Sequence, residues 1–306
     1  MGIISHMGDL QFLLILLLSP LLQGVIKKLK AHAQGRVGAG VLQPYWDLAR
    51  LFKKDMVISE TASWIFHAAP FIVFLSTLAA SMMVPVITPE APVLGIGDIV
   101  ALLYTLALGR FFLVLAGLDA GTAFGGEGSS REATVAILVE PMMMLAIFTA
   151  AVAGGSTKLA VISKSVHILD SPAHVLAFAA FFVALIADTG RIPVDNPDTH
   201  LELTMIHEGM VLEYSGRYLA LIEWAHFIKQ MLLFTVAIDL FFPYGISGGA
   251  LQSALYYLMK MLVLAAAMAW AESSRAKLRF FQLPSLLGGA FVLALLSVIT
   301  FVMLGR

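Results

Sequence analysis

Residues 98–120 read Asp-Ile-Val-Ala-Leu-Leu-Tyr-Thr-Leu-Ala-Leu-Gly-Arg-Phe-Phe-Leu-Val-Leu-Ala-Gly-Leu-Asp-Ala. An apolar run of about 20 residues is what a helix needs to cross about 30 Å of hydrocarbon. Asp98 and Asp119 bracket the run, and Arg110 stands at its centre. The stretch predicts a transmembrane helix. It also raises a question, because a guanidinium at bilayer depth is costly and marks a functional position by default.

Runs of the same kind lie outward from it, near 10–30, 64–88, 131–153, 172–190, 218–243, 251–271 and 285–304. The composition agrees: of 306 residues, 59% are hydrophobic and 13% charged, against about 45–50% and about 25% in soluble domains. The fold class expected is all-α, a polytopic membrane protein of about eight transmembrane helices. It forms a single transmembrane domain over residues 1–306, with no visible repeat of the solenoid or inverted-transporter kind. The first run reads as a retained helix, not a cleaved signal peptide. Residues 1–9 carry no Lys or Arg, and the basic cluster Lys27, Lys28, Lys30 follows the run instead.

Lys and Arg number 19 against 20 Asp and Glu, which gives no basic surface for nucleic acid. There is no cysteine, so no iron–sulfur cluster or Cys-held nickel–iron centre has its thiolate ligands in this chain. With the N-terminus outside, the inner loops carry Lys27, Lys28, Lys30, Arg36, Arg50, Lys53, Lys54, Arg131, Arg191, Arg217, Arg275, Lys277 and Arg279. The outer segments carry Lys158, Lys164 and Arg306. That asymmetry follows the positive-inside rule and places both termini outside.

The segment 42–54 is too short to span. Leu42, Tyr45, Trp46, Ala49 and Phe52 share one helical face, and Asp47, Arg50, Lys53 and Lys54 another. It predicts an amphipathic helix at the membrane interface, either a linker or a docking element. Gly121 to Ser130 lacks the lysine of a phosphate-binding loop. It reads as a flexible lead-in, with Ser129–Ser130 capping the next helix.

Four ionisable residues fall near the middle of predicted spans: Arg110, Glu140, Lys229 and Lys260. Both signs are present, so they read either as register-fixing ion pairs or as a buried hydrophilic track. A second feature is acidic. Asp188, Asp195, Asp198, Glu202, Glu208, Glu213 and Glu223 face only Arg191 and Arg217 in the same stretch. The cytoplasmic loop 188–217 is long for an ordered connection, and its acids alternate with apolar groups, which predicts an acidic cavity. No metal site is expected. The histidines form no HExxH, and His200 and His207 beside Glu202 and Glu208 read as polar contacts.

Three stretches together resemble one family. They are Gly35-Arg-Val-Gly-Ala-Gly-Val-Leu-Gln-Pro44; Ser130-Arg-Glu-Ala133 with Val139-Glu-Pro141; and Asp188-Thr-Gly-Arg-Ile-Pro-Val-Asp195, running on to Leu212-Glu-Tyr-Ser-Gly216. The pattern resembles the membrane subunit shared by respiratory complex I (subunit 1, or H) and the membrane-bound [NiFe] hydrogenases, over about residues 10–300. The run Val194-Asp-Asn-Pro-Asp-Thr-His-Leu-Glu-Leu-Thr204 is most similar to the hydrogenase-4 component C and formate hydrogenlyase subunit 4 type.

The resemblance implies a non-catalytic subunit that anchors a hydrogenase or formate hydrogenlyase arm in a prokaryotic inner membrane. Such a subunit links electron transfer in the arm to H⁺ or Na⁺ movement. It implies Glu140 as the family's buried glutamate, and Asp188, Glu202, Glu208 and Glu213 as the entrance of a proton path. Arg110, Lys229 and Lys260 would continue that path, and Arg36, Arg131 and Arg191 would lie at the docking surface. Partners would be a hydrogenase-type large subunit carrying the NiFe centre, an iron–sulfur small subunit and antiporter-like membrane subunits. Cofactors would sit in those partners and none in this chain. The alternatives are a quinone-site subunit of a complex I-like oxidoreductase, a plain anchor, and a free-standing transporter.

Overall fold

The computed structural model describes residues 11–86, 97–165, 168, 171–196, 205–243 and 250–304. Among these residues the chain is helical, with no strand. The helices are α1 (Gln11–Ala33), α2 (Gln43–Lys53), α3 (Trp64–Ser81), α4 (Ile99–Asp119), α5 (Ala123–Gly154), α6 (Leu159–Ser165), α7 (Pro172–Asp188), α8 (His207–Val211), α9 (Gly216–Phe241), α10 (Ala250–Ser274) and α11 (Leu283–Leu304). Seven of them, α1, α3, α4, α5, α9, α10 and α11, are long and apolar enough to cross a membrane. The eighth expected span is α7, 17 residues long, about 25 Å at 1.5 Å per residue.

Polar residues at the ends set these boundaries. Asp98 accepts from the N–H groups of Val100 and Ala101 at 2.9 and 3.2 Å and starts α4. Ser63, Thr122 and Ser171 do the same for α3, α5 and α7. Each satisfies one of the donors that a helix N-terminus leaves open. Gly155, at φ +64°, ends α5.

Helix α9 is the axis of the bundle. Every residue from Gln230 to Phe241 is buried. Helices α1, α2, α3, α7 and α10 lie against it, α5 and α11 close over α7, and α4 pairs with α3. The outer faces of α10 and α11 are exposed and apolar: Leu251, Leu255, Leu262 and Val263 on one, Val292, Ile299, Val302 and Met303 on the other. In a bilayer these faces meet lipid or neighbouring helices.

Two sequence expectations are corrected. The glycine-rich stretch 121–130 is not a flexible lead-in. Helix α5 begins at Ala123 behind the Thr122 cap, so Ser129 and Ser130 lie inside it. The glycines are there for proximity. A Cβ on Gly128 would come within 2.9 Å of the Ile206 carbonyl oxygen and 3.0 Å of the Met210 nitrogen, and one on Gly125 would strike the Gly117 carbonyl. Small residues allow α4, α5 and α8 to touch along their backbones. The second correction concerns the amphipathic helix. Helix α2 forms where expected, but its buried residues are Pro44 and Leu48, while Leu42 and Trp46 are exposed. Its inward face is rotated because Phe52 packs edge-on against Trp224 of α9, which leaves Trp46 for the bilayer interface.

Candidate functional site

The end of the bundle that holds α2 and α8 gathers the loops expected on one side of the membrane. Ser215 bonds both backbone groups of Val57. Tyr214 stacks on Phe66 at 4.0 Å and donates to its carbonyl at 2.9 Å. Burial pushes the Tyr214 hydroxyl above its ordinary pKa. Asp195 is 2% exposed. It accepts from the N–H groups of Ile206 and His207, both at 3.2 Å, and from Lys277 at 2.6 Å. The acidic segment is thereby folded back onto the bundle at both its described ends. Glu202 lies outside the described residues. Glu208 and Glu213 are partly buried on and just after α8.

Beneath this end lies a compact ion cluster. Arg110 of α4 meets Asp188 at the end of α7, Glu140 of α5 at 3.0 Å and Glu132 of α5 at 3.4 Å. Lys229 of α9 binds the other Asp188 carboxylate oxygen at 2.8 Å and the Asp188 carbonyl at 3.0 Å. Two cations therefore face three carboxylates, and the group carries a charge of −1 when all are ionised. At low dielectric an excess charge favours uptake of a compensating cation, a proton first of all.

Sequence reading brought Arg110, Glu140, Asp188 and Lys229 to the same path, and the structure joins them in one cluster. Glu140 was expected to be buried, and is not: its side chain is 49% exposed, against 4% for Asp188. It opens sideways into a cavity of about 420 Å³ between α4 and α5, lined by Leu103, Tyr104, Ile137, Pro141 and Met144 among others. Pro141 has no N–H to give to the preceding turn. Lys260 is not part of the cluster. The charge that acts on it is Asp239 of α9, near the opposite end of the bundle, where Tyr257 bonds Thr235 at 2.8 Å.

The arginines expected at a docking surface differ among themselves. Arg36 is exposed in the loop after α1. Arg131 pairs with Glu127 and donates to the Met205 carbonyl at 2.8 Å, tying α5 to the acidic segment. Arg191 is not on a surface at all. It is 2% exposed and bonded to Glu272 at 3.3 Å, to Gln230 at 2.6 Å and to Gln23. Lys30 closes the group onto Glu272 at 3.1 Å. The guanidinium pins α1, α9 and α10 together, because a buried planar cation needs several oxygens and only that junction supplies them.

Sequence reasoning passed over Glu132, Asp239, Glu272 and His226. A signal existed for His226: Glu223, His226 and Lys229 recur every third residue inside an apolar run. None existed for Glu272, whose partner Arg191 is 81 residues away. Among the described residues no group of His, Asp or Glu could hold a metal ion.

The family described as NADH dehydrogenase matches residues 8–304 of this chain. The chain belongs to that family. Within it, hydrogenase-4 component C of Escherichia coli (strain K12) is 35% identical, over 94% of this chain and 92% of the relative. Formate hydrogenlyase subunit 4 of the same strain is 32% identical, over 95% and 96%. The corresponding membrane subunit of the NADH-quinone oxidoreductase of Syntrophotalea carbinolica is 28% identical, over 82% and 79%. A chain in the structure of the membrane-bound sulfane sulfur reductase, an archaeal respiratory membrane complex, superposes with a TM-score of 0.84. It covers 97% of this chain and 99% of that one at 18% identity, which shows the shared fold. These relatives bear out the resemblance to the complex I membrane subunit and its hydrogenase branch. The chain is a multi-pass membrane subunit of the complex I-like kind.

Proposed function

We propose that this chain anchors a peripheral hydrogenase-type arm and couples electron transfer there to movement of H⁺ or Na⁺ across a prokaryotic inner membrane. The observation that carries this reading is the under-neutralised cluster Arg110–Glu132–Glu140–Asp188–Lys229. A plain anchor has no use for two cations and three acids at membrane depth. In a working coupler, a change of charge at the arm alters the acids on the α8 side. Asp188 and Lys229 relay the change electrostatically to Arg110. The protonation of Glu140 responds, and Glu140 faces sideways, where an antiporter-like subunit would receive the shift. Arg36 remains available for docking. The closeness to hydrogenase-4 component C and formate hydrogenlyase subunit 4 supports a large subunit with a NiFe centre and an iron–sulfur small subunit as partners. Those centres would supply the redox chemistry, and this chain none of it. The basic inner loops support both termini lying outside.

A second reading is a quinone-site subunit, favoured by the cavity between α4 and α5, whose volume suits a drug-sized apolar ligand. Purification of the intact complex through a tag on this chain separates the two. Nickel without tightly bound quinone supports the first reading, and quinone without nickel the second. The decisive variant is Glu140→Gln. A coupling subunit assembles but loses pumping by at least about tenfold. An anchor keeps both, and that result overturns the coupling role.

A further inference from the structure

Two imidazoles stand between the acidic segment and the ion cluster. His207 is the first residue of α8, and His226 lies on α9. Their ring centroids are 4.8 Å apart with planes tilted by 37°. Both line a small cavity of about 50 Å³ together with Ser76, Thr77, Asp188 and Lys229. At about 10–15 Å³ for each water position, that cavity has the room and the polar partners to hold a few waters. His207 Nε2 is buried and has no hydrogen-bond partner among the described residues. Its backbone is fixed by the bond from its N–H to Asp195.

Along α9, Glu223, His226 and Lys229 step inward by about 4.5 Å each. The charged groups that face His226 come from every element around it: Glu223 and Lys229 on its own helix, His207 beside Glu208 on α8, Lys27 on α1 and Arg191 after α7. The first acids thus lie on the loop side of the histidines, and the Lys229–Asp188–Arg110 cluster on the membrane side.

We propose that His207 and His226 form a single-proton station that hands protons from the acidic segment, through the adjoining cavity, to the Lys229–Asp188 pair. The proposal rests on the coupling role above and gives it an entry step. Imidazole is the side chain that changes charge between pH 5 and 8. Two imidazolium ions at this separation repel strongly, so the pair holds one proton and not two. A proton gained from Glu208 or Glu223 leaves through water on the cavity side. No bond other than N–H and O–H is made or broken, and the pair returns to its neutral form after each transfer. The histidines are positioning and relay groups, not catalytic residues.

The test uses the intact complex, purified through this chain. Hydrogen–deuterium exchange at the imidazole C2 position, read by mass spectrometry, gives a titration curve for each histidine. In the unmodified protein one member of the pair takes up a proton between pH 5 and 8 while the other stays neutral down to pH 5. His207→Gln then raises the His226 midpoint by about one pH unit or more. Two fully charged imidazoles at pH 5.5, or a midpoint that moves by less than about 0.2 unit, overturn the station. Pumping into liposomes, driven by reduced methyl viologen and read as internal pH and internal sodium, supplies the second readout. His207→Gln and the double variant His207→Gln/His226→Gln are expected to lose pumping equally, by at least about tenfold, with the pH profile flattened. Normal pumping in both, with Glu140→Gln inactive, overturns the station and leaves the coupling role intact. Normal pumping in all three overturns both.

Discussion

Arg110 and Arg191 both meet the chain where α7 ends, Arg110 through Asp188 and Arg191 three residues later, yet their surroundings differ in kind. Arg191 is enclosed. It has a buried carboxylate, Glu272, and two glutamine oxygens, with Lys30 outside them. Arg110 faces three carboxylates and shares one of them with Lys229, and its cluster opens sideways at Glu140. The first arrangement has enough oxygens to hold the cation still and no route by which its charge could change. The second has a surplus of acid and an opening. Burial of charge alone does not separate a lock from a relay. The balance of charge and the access to it do.

The largest effect should fall on the enclosed group. Arg191→Ala leaves Glu272 buried opposite Lys30 alone, and breaking such a pair costs about 3–5 kcal/mol. The expected result is little or no folded chain in the membrane fraction, measured by immunoblot and thermal denaturation in detergent. Arg191→Lys should not restore it, since one ammonium cannot reach Glu272, Gln23 and Gln230 together. Folded protein at normal levels in Arg191→Ala would erase the distinction drawn between the two clusters.

Next in size is the contact that brings α8 to the open cluster. Gly128→Ala puts a methyl against the backbone of Ile206 and Met210, which cannot move away without shifting α8. A loss of about 1–3 kcal/mol is expected, seen as a lower thermal midpoint, whereas Gly126→Ala meets nothing within 4 Å and should be neutral.

Glu140→Gln should cost less still in stability, within about 1 kcal/mol, because the carboxylate is half exposed and Arg110 keeps Asp188 and Glu132. Its effect belongs to pumping. A drop in thermal midpoint as large as that of Arg191→Ala would make Glu140 a structural partner like Glu272.

The smallest effect is at Asp98, far from both clusters. The Thr157 hydroxyl holds its carboxyl below the ordinary value of 3.8, helped by the Val100 and Ala101 N–H groups and opposed by partial burial. A carboxylate whose folded pKa is depressed stabilises the protein above its unfolded pKa, and the gain fades as pH falls through the folded value. Asp98→Asn should therefore lower the thermal midpoint slightly at pH 7, by about 1 kcal/mol at most. The gap to the parent protein should close below about pH 4. A gap that persists at pH 3 would show that the cap acts through geometry alone.

The sequence determined the membrane fold, because a run of about 20 apolar residues has few other solutions. It also determined which ions matter in three of the four mid-span positions. Arg110, Glu140 and Lys229 cannot sit in hydrocarbon without partners, and a partner of each sign was available. The family was legible in the order of the glycine–arginine, serine–arginine and aspartate–threonine–glycine stretches. What the sequence could not decide was pairing between distant segments. Arg191 read as a docking charge on a cytoplasmic loop, and only the approach of α10 brings Glu272 to it. Lys260 read as part of the same track as Lys229, and the place of α10 gives it Asp239 instead. The glycines of 121–130 read as freedom, and the close approach of α4, α5 and α8 makes them a requirement for contact. In each case the missing fact is which residues of two helices face each other. A helix that is apolar all round carries no stripe from which that rotation can be read, so only tertiary packing fixes it.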